Sequence, residues 1–167
     1  RVDCNVSGET QPLNLHSAFA NKAKIPMLVK LTPLAFYSLS FLRSILVHEL
    51  NHVYMYRDAD FSDAKKFSGQ AIEAAKGRFT HYFTLLNPYS PSYQYYLVQE
   101  YYSFRAQLMF DEAVEENAFY KLDENNRKNI TEMLAWVYSQ LDKKNKNFID
   151  TNPAPPIFKT IQGFYSR

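Results

Sequence analysis

Ser44-Ile45-Leu46-Val47-His48-Glu49-Leu50-Asn51-His52-Val53-Tyr54-Met55-Tyr56 sets two histidines around a glutamate within an apolar run. Apolar residues extend outward from it at helical spacing, through Leu34, Leu39, Leu42, Ile45, Leu46, Val53 and Tyr56. Thr32-Pro33 offers an N-cap followed by proline at the first helical position, so the pattern predicts one helix from there to Arg57. On such a helix His48 and His52 lie one turn apart on the same face.

The rest of the chain reads as further helices. Asp58 to Asp63 is a cap-rich break, and Ala64 to Leu86 has a helical pattern weakened by Gly69 and Gly77. Asn87-Pro88-Tyr89-Ser90-Pro91 is a turn before a helix from about Ser92 to Glu116, and another runs from Asp123 to Lys143. Residues 1–24 read as an irregular lead-in and Met27–Leu31 as one edge strand. Asn145 to Pro156 reads as a non-helical, proline-rich connection within a C-terminal tail, residues 144–167. With 13 Phe, 13 Tyr and only 4 Gly, the composition favours helices packed through aromatic rings over a turn-rich sandwich. The expected fold is mainly α, a helix bundle of one domain with at most a small edge strand or sheet, and 167 residues suffice to bury its core.

Charge and composition narrow the function. A formal net charge of +2, without a dense Lys/Arg block, gives no footprint for nucleic acid. The stretch from Ile25 to Val47 is apolar but carries Lys30, Pro33 and Arg43, which fits a buried helix better than a transmembrane segment. The single Cys4 excludes an internal disulfide framework. The first residue is Arg1 where a start methionine would stand, which points to a longer precursor or a trimmed chain. Asn5-Val6-Ser7 and Asn129-Ile130-Thr131 fit the N-glycosylation pattern, which has meaning only in a eukaryotic secretory pathway.

His48-Glu49-Leu50-Asn51-His52 is where the chemistry concentrates. Two neutral imidazoles one turn apart can hold Zn2+, the ion brings the pKa of its water to about 7, and the intervening carboxylate can take the proton. At the chain's own histidine and glutamate frequencies the pattern is expected by chance about 0.005 times. A structural histidine pair would leave Glu49 buried in an apolar stripe without an evident partner. Catalytic zinc takes a third protein ligand, and four residues are candidates. Asp58 lies six residues after His52, but Met55 stands where a chain-reversing glycine would help. Glu73 lies on the second helix, His81 would complete a three-histidine set, and Glu100 is an acid stranded among Tyr95, Tyr96, Tyr101 and Tyr102.

The segments 44–56 and 93–106 resemble the gluzincin zinc peptidases, in which two histidines of one helix and a glutamate of a later helix bind the metal. Glu100-Tyr101-Tyr102-Ser103 is most similar to the branch that includes anthrax lethal factor and related secreted peptidases. The resemblance implies a zincin-like fold, Zn2+ on His48, His52 and Glu100, Glu49 as general base, and Tyr93, seven residues before Glu100, as an assisting phenol. It also implies a peptide or protein substrate and a secreted or periplasmic location. Two positions depart from the pattern: Phe104 stands where a carboxylate often follows the ligand glutamate, and Asn51 where a glycine often precedes the second histidine. That leaves the supporting residues around the ligands to Ser103, Asp58 or Asp60, and the transition-state donor to Tyr93, with Tyr95 and Tyr96 as rivals, or His81. Two other readings compete, a zinc-binding module without catalysis and a partner-binding domain descended from a peptidase.

Overall fold

The computed structural model describes residues 8–12, 27–57, 91–116 and 118–158. In chain order these form strand β1 (Gly8–Pro12), strand β2 (Met27–Leu31), a 3-10 turn (Pro33–Phe36), and helices α1 (Leu39–Arg57), α2 (Pro91–Glu112), α3 (Glu124–Gln140) and α4 (Lys143–Thr151). The fold is mainly α. Among the described residues no helix is long and apolar enough to cross a membrane. The expected helix over residues 64–86 and the turn before Pro91 lie outside the described residues.

Met27–Leu31 is a strand, but it does not stand alone. It pairs antiparallel with β1, from Gly8 opposite Leu31 to Pro12 opposite Met27. This corrects the irregular lead-in expected over residues 1–24. Glu9 and Gln11 alternating with Gly8 and Thr10 give no apolar period to read, and the strand depends on a partner nearly twenty residues away. The hairpin lies on α1, mainly through β1.

The start of α1 also differs from expectation. After Thr32-Pro33 the chain makes a 3-10 turn in which the Ala35 amide donates to the Thr32 carbonyl at 3.0 Å. Ser38 caps the α-helix instead, its Oγ accepting from the Phe41 amide at 3.1 Å. The first apolar positions of the stripe, Leu34 and Leu39, are therefore exposed, alongside Phe36 and Tyr37.

Helices α1 and α2 form the central pair. Their contacts run Arg43 to Asp111, Ser44 to Gln107, Asn51 to Ser103 and His52 to Gln99, so one helix ascends as the other descends and the two are antiparallel. The seam between them is polar. Ser40, Ser44, His48 and His52 recur every four residues on α1, and Gln99, Ser103, Gln107 and Asp111 do so on α2, all buried. Residues four apart form the ridges by which helices interlock, so two polar ridges face each other here. Apolar packing flanks this seam. Met55, Leu97, Val98, Tyr102, Val137, Leu141 and Ile149 form one cluster, and Val47, Ala106 and Ile157 another.

The C-terminal reading also needs correction: residues 143–151 are helical. Leu141 adopts an extended conformation that ends α3, and Asp142 opens α4 by accepting from the Asn145 amide at 2.8 Å. The prolines begin only at Pro153, beyond the helix, and Ile149 is the apolar residue α4 buries. Gln94 of α2 pins the corner, donating to the Gln140 carbonyl at 3.1 Å and accepting from the Asp142 amide at 2.8 Å. Further along, the Tyr102 hydroxyl donates to the Asn152 carbonyl at 2.5 Å and Arg105 Nε to the Pro153 carbonyl at 2.9 Å, which fastens the tail to α2.

Candidate metal centre

The polar seam brings His48, His52 and Glu100 together. His48 Nε2 lies 3.2 Å from His52 Nε2 and 3.3 Å from Glu100 Oε2, while His52 Nε2 lies 3.4 Å from Glu100 Oε1. Both histidines are buried and Glu100 is nearly so.

Each imidazole is oriented from behind. His48 Nδ1 lies 3.0 Å from Gln107 Oε1, and His52 Nδ1 lies 3.3 Å from Gln99 Oε1. An amide oxygen can only accept, so each Nδ1 carries the proton and each Nε2 presents a lone pair to the centre when the ring is neutral. Gln107 is held in turn, its Nε2 donating to Ser44 Oγ at 2.8 Å. Gln99 is hydrogen-bonded to the phenol of Tyr95, whose pKa burial pushes up to about 12.

Two imidazole lone pairs and a carboxylate thus converge on one point, an arrangement that requires positive charge. In the protein alone a proton supplies it. Burial pulls His48 down, but the hydrogen bond and charge of Glu100, with a further contribution from Glu49, outweigh burial and raise its pKa to about 9. For Glu100 burial acts upward, yet its hydrogen bonds and attraction to His48 and His52 hold the carboxyl well below the usual range. A metal ion can replace that proton, and His48, His52 and Glu100 could hold one, their ligand atoms all lying within 4.8 Å of one another. Ligand atoms at about 2.0 to 2.1 Å from a tetrahedral ion stand about 3.3 Å apart. The measured separations of 3.2, 3.3 and 3.4 Å fit that spacing.

The other expected residues divide. Glu49 is buried with 4% exposure, and its charge is felt by both His48 and Tyr96, which places it at the same centre. Tyr93 is half-buried against the cluster of Met55, Leu97 and Tyr102 and lies close enough to influence Tyr96 electrostatically. Tyr96, one turn before Glu100, is hydrogen-bonded to it. Burial first, then the charge and hydrogen bond of Glu100, raise the phenol well above its ordinary value. Ser103 Oγ accepts from Asn51 Nδ2 at 3.2 Å at the helix crossing. Phe104 packs edge-on against His48 with ring centroids 4.9 Å apart. Asp58, Asp60, Glu73 and His81 lie outside the described residues.

Gln99 and Gln107 were missed by reading the sequence for acids around the ligands. A signal was present: Gln107 stands seven residues after Glu100, two helical turns along the same face. Compared with known proteins, the chain significantly matches no family model, no curated protein and no solved structure.

Proposed function

We propose that this protein is a zinc-dependent peptidase that uses His48, His52 and Glu100 as metal ligands and Glu49 as general base. The observation that carries the reading is the convergence of two Nε2 lone pairs and a carboxylate at tetrahedral spacing, with a second carboxylate one residue from the first ligand. Two histidines and a carboxylate are the donor set of catalytic zinc sites that keep a position open. When bound there, zinc supplies Lewis acidity, which lowers the pKa of water and polarises a carbonyl.

The chain's own groups supply the proton transfers. Glu49 accepts the proton of the attacking water and returns it to the leaving amine, so that it ends the cycle as the carboxylate it began. Tyr93, or Tyr96 on giving up its hydrogen bond to Glu100, would donate to the developing oxyanion. Gln107 and Gln99 keep each imidazole in the tautomer whose Nε2 faces the centre. The resemblance to secreted gluzincins extends the proposal to a peptide or protein substrate and to a secreted or periplasmic location.

Metal analysis combined with digestion of a peptide library, with and without chelator, tests this reading. One zinc per chain and chelator-sensitive cleavage are expected. Glu49→Gln should keep the metal and lose turnover by about 10²- to 10⁴-fold, and an active variant would refute the base assignment. Glu100→Ala should lose the metal; a metallated, active variant would move the third ligand to Glu73 or Asp58. Zinc without cleavage would assign the protein to the competing class of non-catalytic zinc modules.

A further inference from the structure

Helix α1 fixes where Glu49 begins, but a glutamate has three rotatable bonds and needs lateral support to hold one orientation. That support comes from β1. Thr10 Oγ1 lies 2.6 Å from Glu49 Oε2 and 3.1 Å from the Glu49 carbonyl oxygen, and both acceptors oblige the hydroxyl to donate. The shorter contact is that of a charge-assisted bond to a carboxylate.

Gly8 lies two residues earlier and so faces the same side of the strand. A Cβ at that position would meet Glu49 Oε1 at 2.6 Å, Cγ at 2.9 Å and Cδ at 3.0 Å. The absence of a side chain there is what lets the strand backbone close over the carboxylate. Glu49 is therefore held on one oxygen by a donated proton and confined on the other by the strand, consistent with its 4% exposure.

We propose that β1 belongs to the catalytic apparatus, with Thr10 as a positioning residue that holds the Glu49 carboxylate toward His48 and Glu100, and Gly8 as the gap that admits it. The inference rests on the peptidase reading for its consequence, but the coupling of Thr10 to Glu49 is measurable apart from turnover. A hydroxamic acid binding zinc as its anion gives its O–H proton to a neighbouring carboxylate base, so acetohydroxamate affinity reports whether Glu49 is in place.

The experiment compares zinc-loaded chains carrying Thr10→Val, Thr10→Ser, Gly8→Ala, Glu49→Gln and Thr10→Val with Glu49→Gln. Zinc content, thermal midpoint, acetohydroxamate affinity, and kcat and KM on a peptide found by library digestion are measured. Thr10→Val should lower kcat by about 10- to 100-fold with KM and zinc content little changed, and weaken acetohydroxamate by about tenfold. Thr10→Ser should restore both, and Gly8→Ala should reproduce the loss. Adding Thr10→Val to Glu49→Gln should cost almost nothing more, because the hydroxyl acts through the carboxylate.

A merely structural tie between hairpin and helix would instead lower the thermal midpoint and leave kcat and hydroxamate affinity unchanged in the folded fraction, which would overturn the proposal. Equal losses in the wild-type and Glu49→Gln backgrounds would do the same. If Thr10→Val fails to fold, Gly8→Ala and Thr10→Ser decide: wild-type kcat and affinity in Gly8→Ala would overturn it. If the wild-type chain holds zinc but cuts no peptide, the peptidase reading fails and the acetohydroxamate cycle still decides the coupling. A chain that binds no zinc overturns both.

Discussion

Zinc binding should be strongly pH-dependent, and the responsible proton is that of His48. In the metal-free protein this histidine is raised from 6.5 to about 9, so near pH 7 it is almost wholly protonated. Glu100, held well below the usual carboxyl range, is already ionised. Zinc needs the neutral imidazole and must displace that proton. Between about pH 7 and 9 each unit should therefore change the apparent affinity about tenfold, or about 1.4 kcal/mol, and the dependence on this proton should flatten above that window. The sign for folding is the reverse. A group whose pKa is raised on folding stabilises fully below its unfolded value, and this contribution of His48 disappears as pH rises from 6.5 through about 9. Glu100, depressed on folding, adds stability above its ordinary 4.5 that is lost only as pH falls toward its lower folded value. Raising the pH toward 9 should thus weaken the metal-free fold while strengthening its hold on zinc. Competition with a chelator of known affinity at about pH 7 and 8 reads the first effect, and calorimetry in buffers of different ionisation enthalpy counts the proton from His48. Equal affinities at the two pH values, with no proton released, would refute the account of the centre as a proton site that zinc takes over.

Gln107→Leu removes the acceptor on His48 Nδ1 and should lower zinc affinity by about 10- to 100-fold; the same chelator competition checks it, and an unchanged affinity would remove the orienting role. Asp111 is fully buried, lies 3.6 Å from Arg43 and 3.9 Å from Arg127, and accepts from the Leu122 amide at 2.8 Å. Asp111→Ala leaves the Arg43 guanidinium and the buried Leu122 amide without their carboxylate, while Arg127 keeps Glu112. Because both arginines reach solvent, the loss should be near the lower end of the buried-pair range, about 3 kcal/mol in urea unfolding, and a loss below about 1 kcal/mol would show that the cluster contributes little.

The helices were legible where their signals are local. A helix was expected from Asp123, and α3 begins beside it with Asp123 as its cap; α1 ends at Arg57 as expected, and α2 begins at Pro91. Local signals also misled. Thr32-Pro33 and Ser38 are both plausible starts, and only the second opens an α-helix, because the proline begins a 3-10 turn that ends before it. Asp142, expected inside the preceding helix, instead caps α4, and the prolines from Pro153 onward had suggested a loop where that helix runs. For the candidate metal centre, the spacing of His48 and His52 was enough to place two imidazoles on one face, and an acid among aromatics marked Glu100. The glutamines behind the ligands carry no such mark, since an isolated Gln on a helix reads as a surface residue.

Taken alone, then, the sequence determines what a single helix can determine: two imidazoles and a carboxylate at fixed angles around one axis, because helical geometry is set by neighbours in the chain. The tertiary structure decides everything that needs a second element. Crossing α1 with α2 sets Glu100 against both histidines and turns two ladders of every-fourth polar residues into a seam in which each histidine meets a glutamine. Laying β1 across α1 gives Glu49 its partner in Thr10. Those contacts join residues 39 to 59 positions apart, and at that distance along the chain only packing, not local propensity, chooses which polar groups meet.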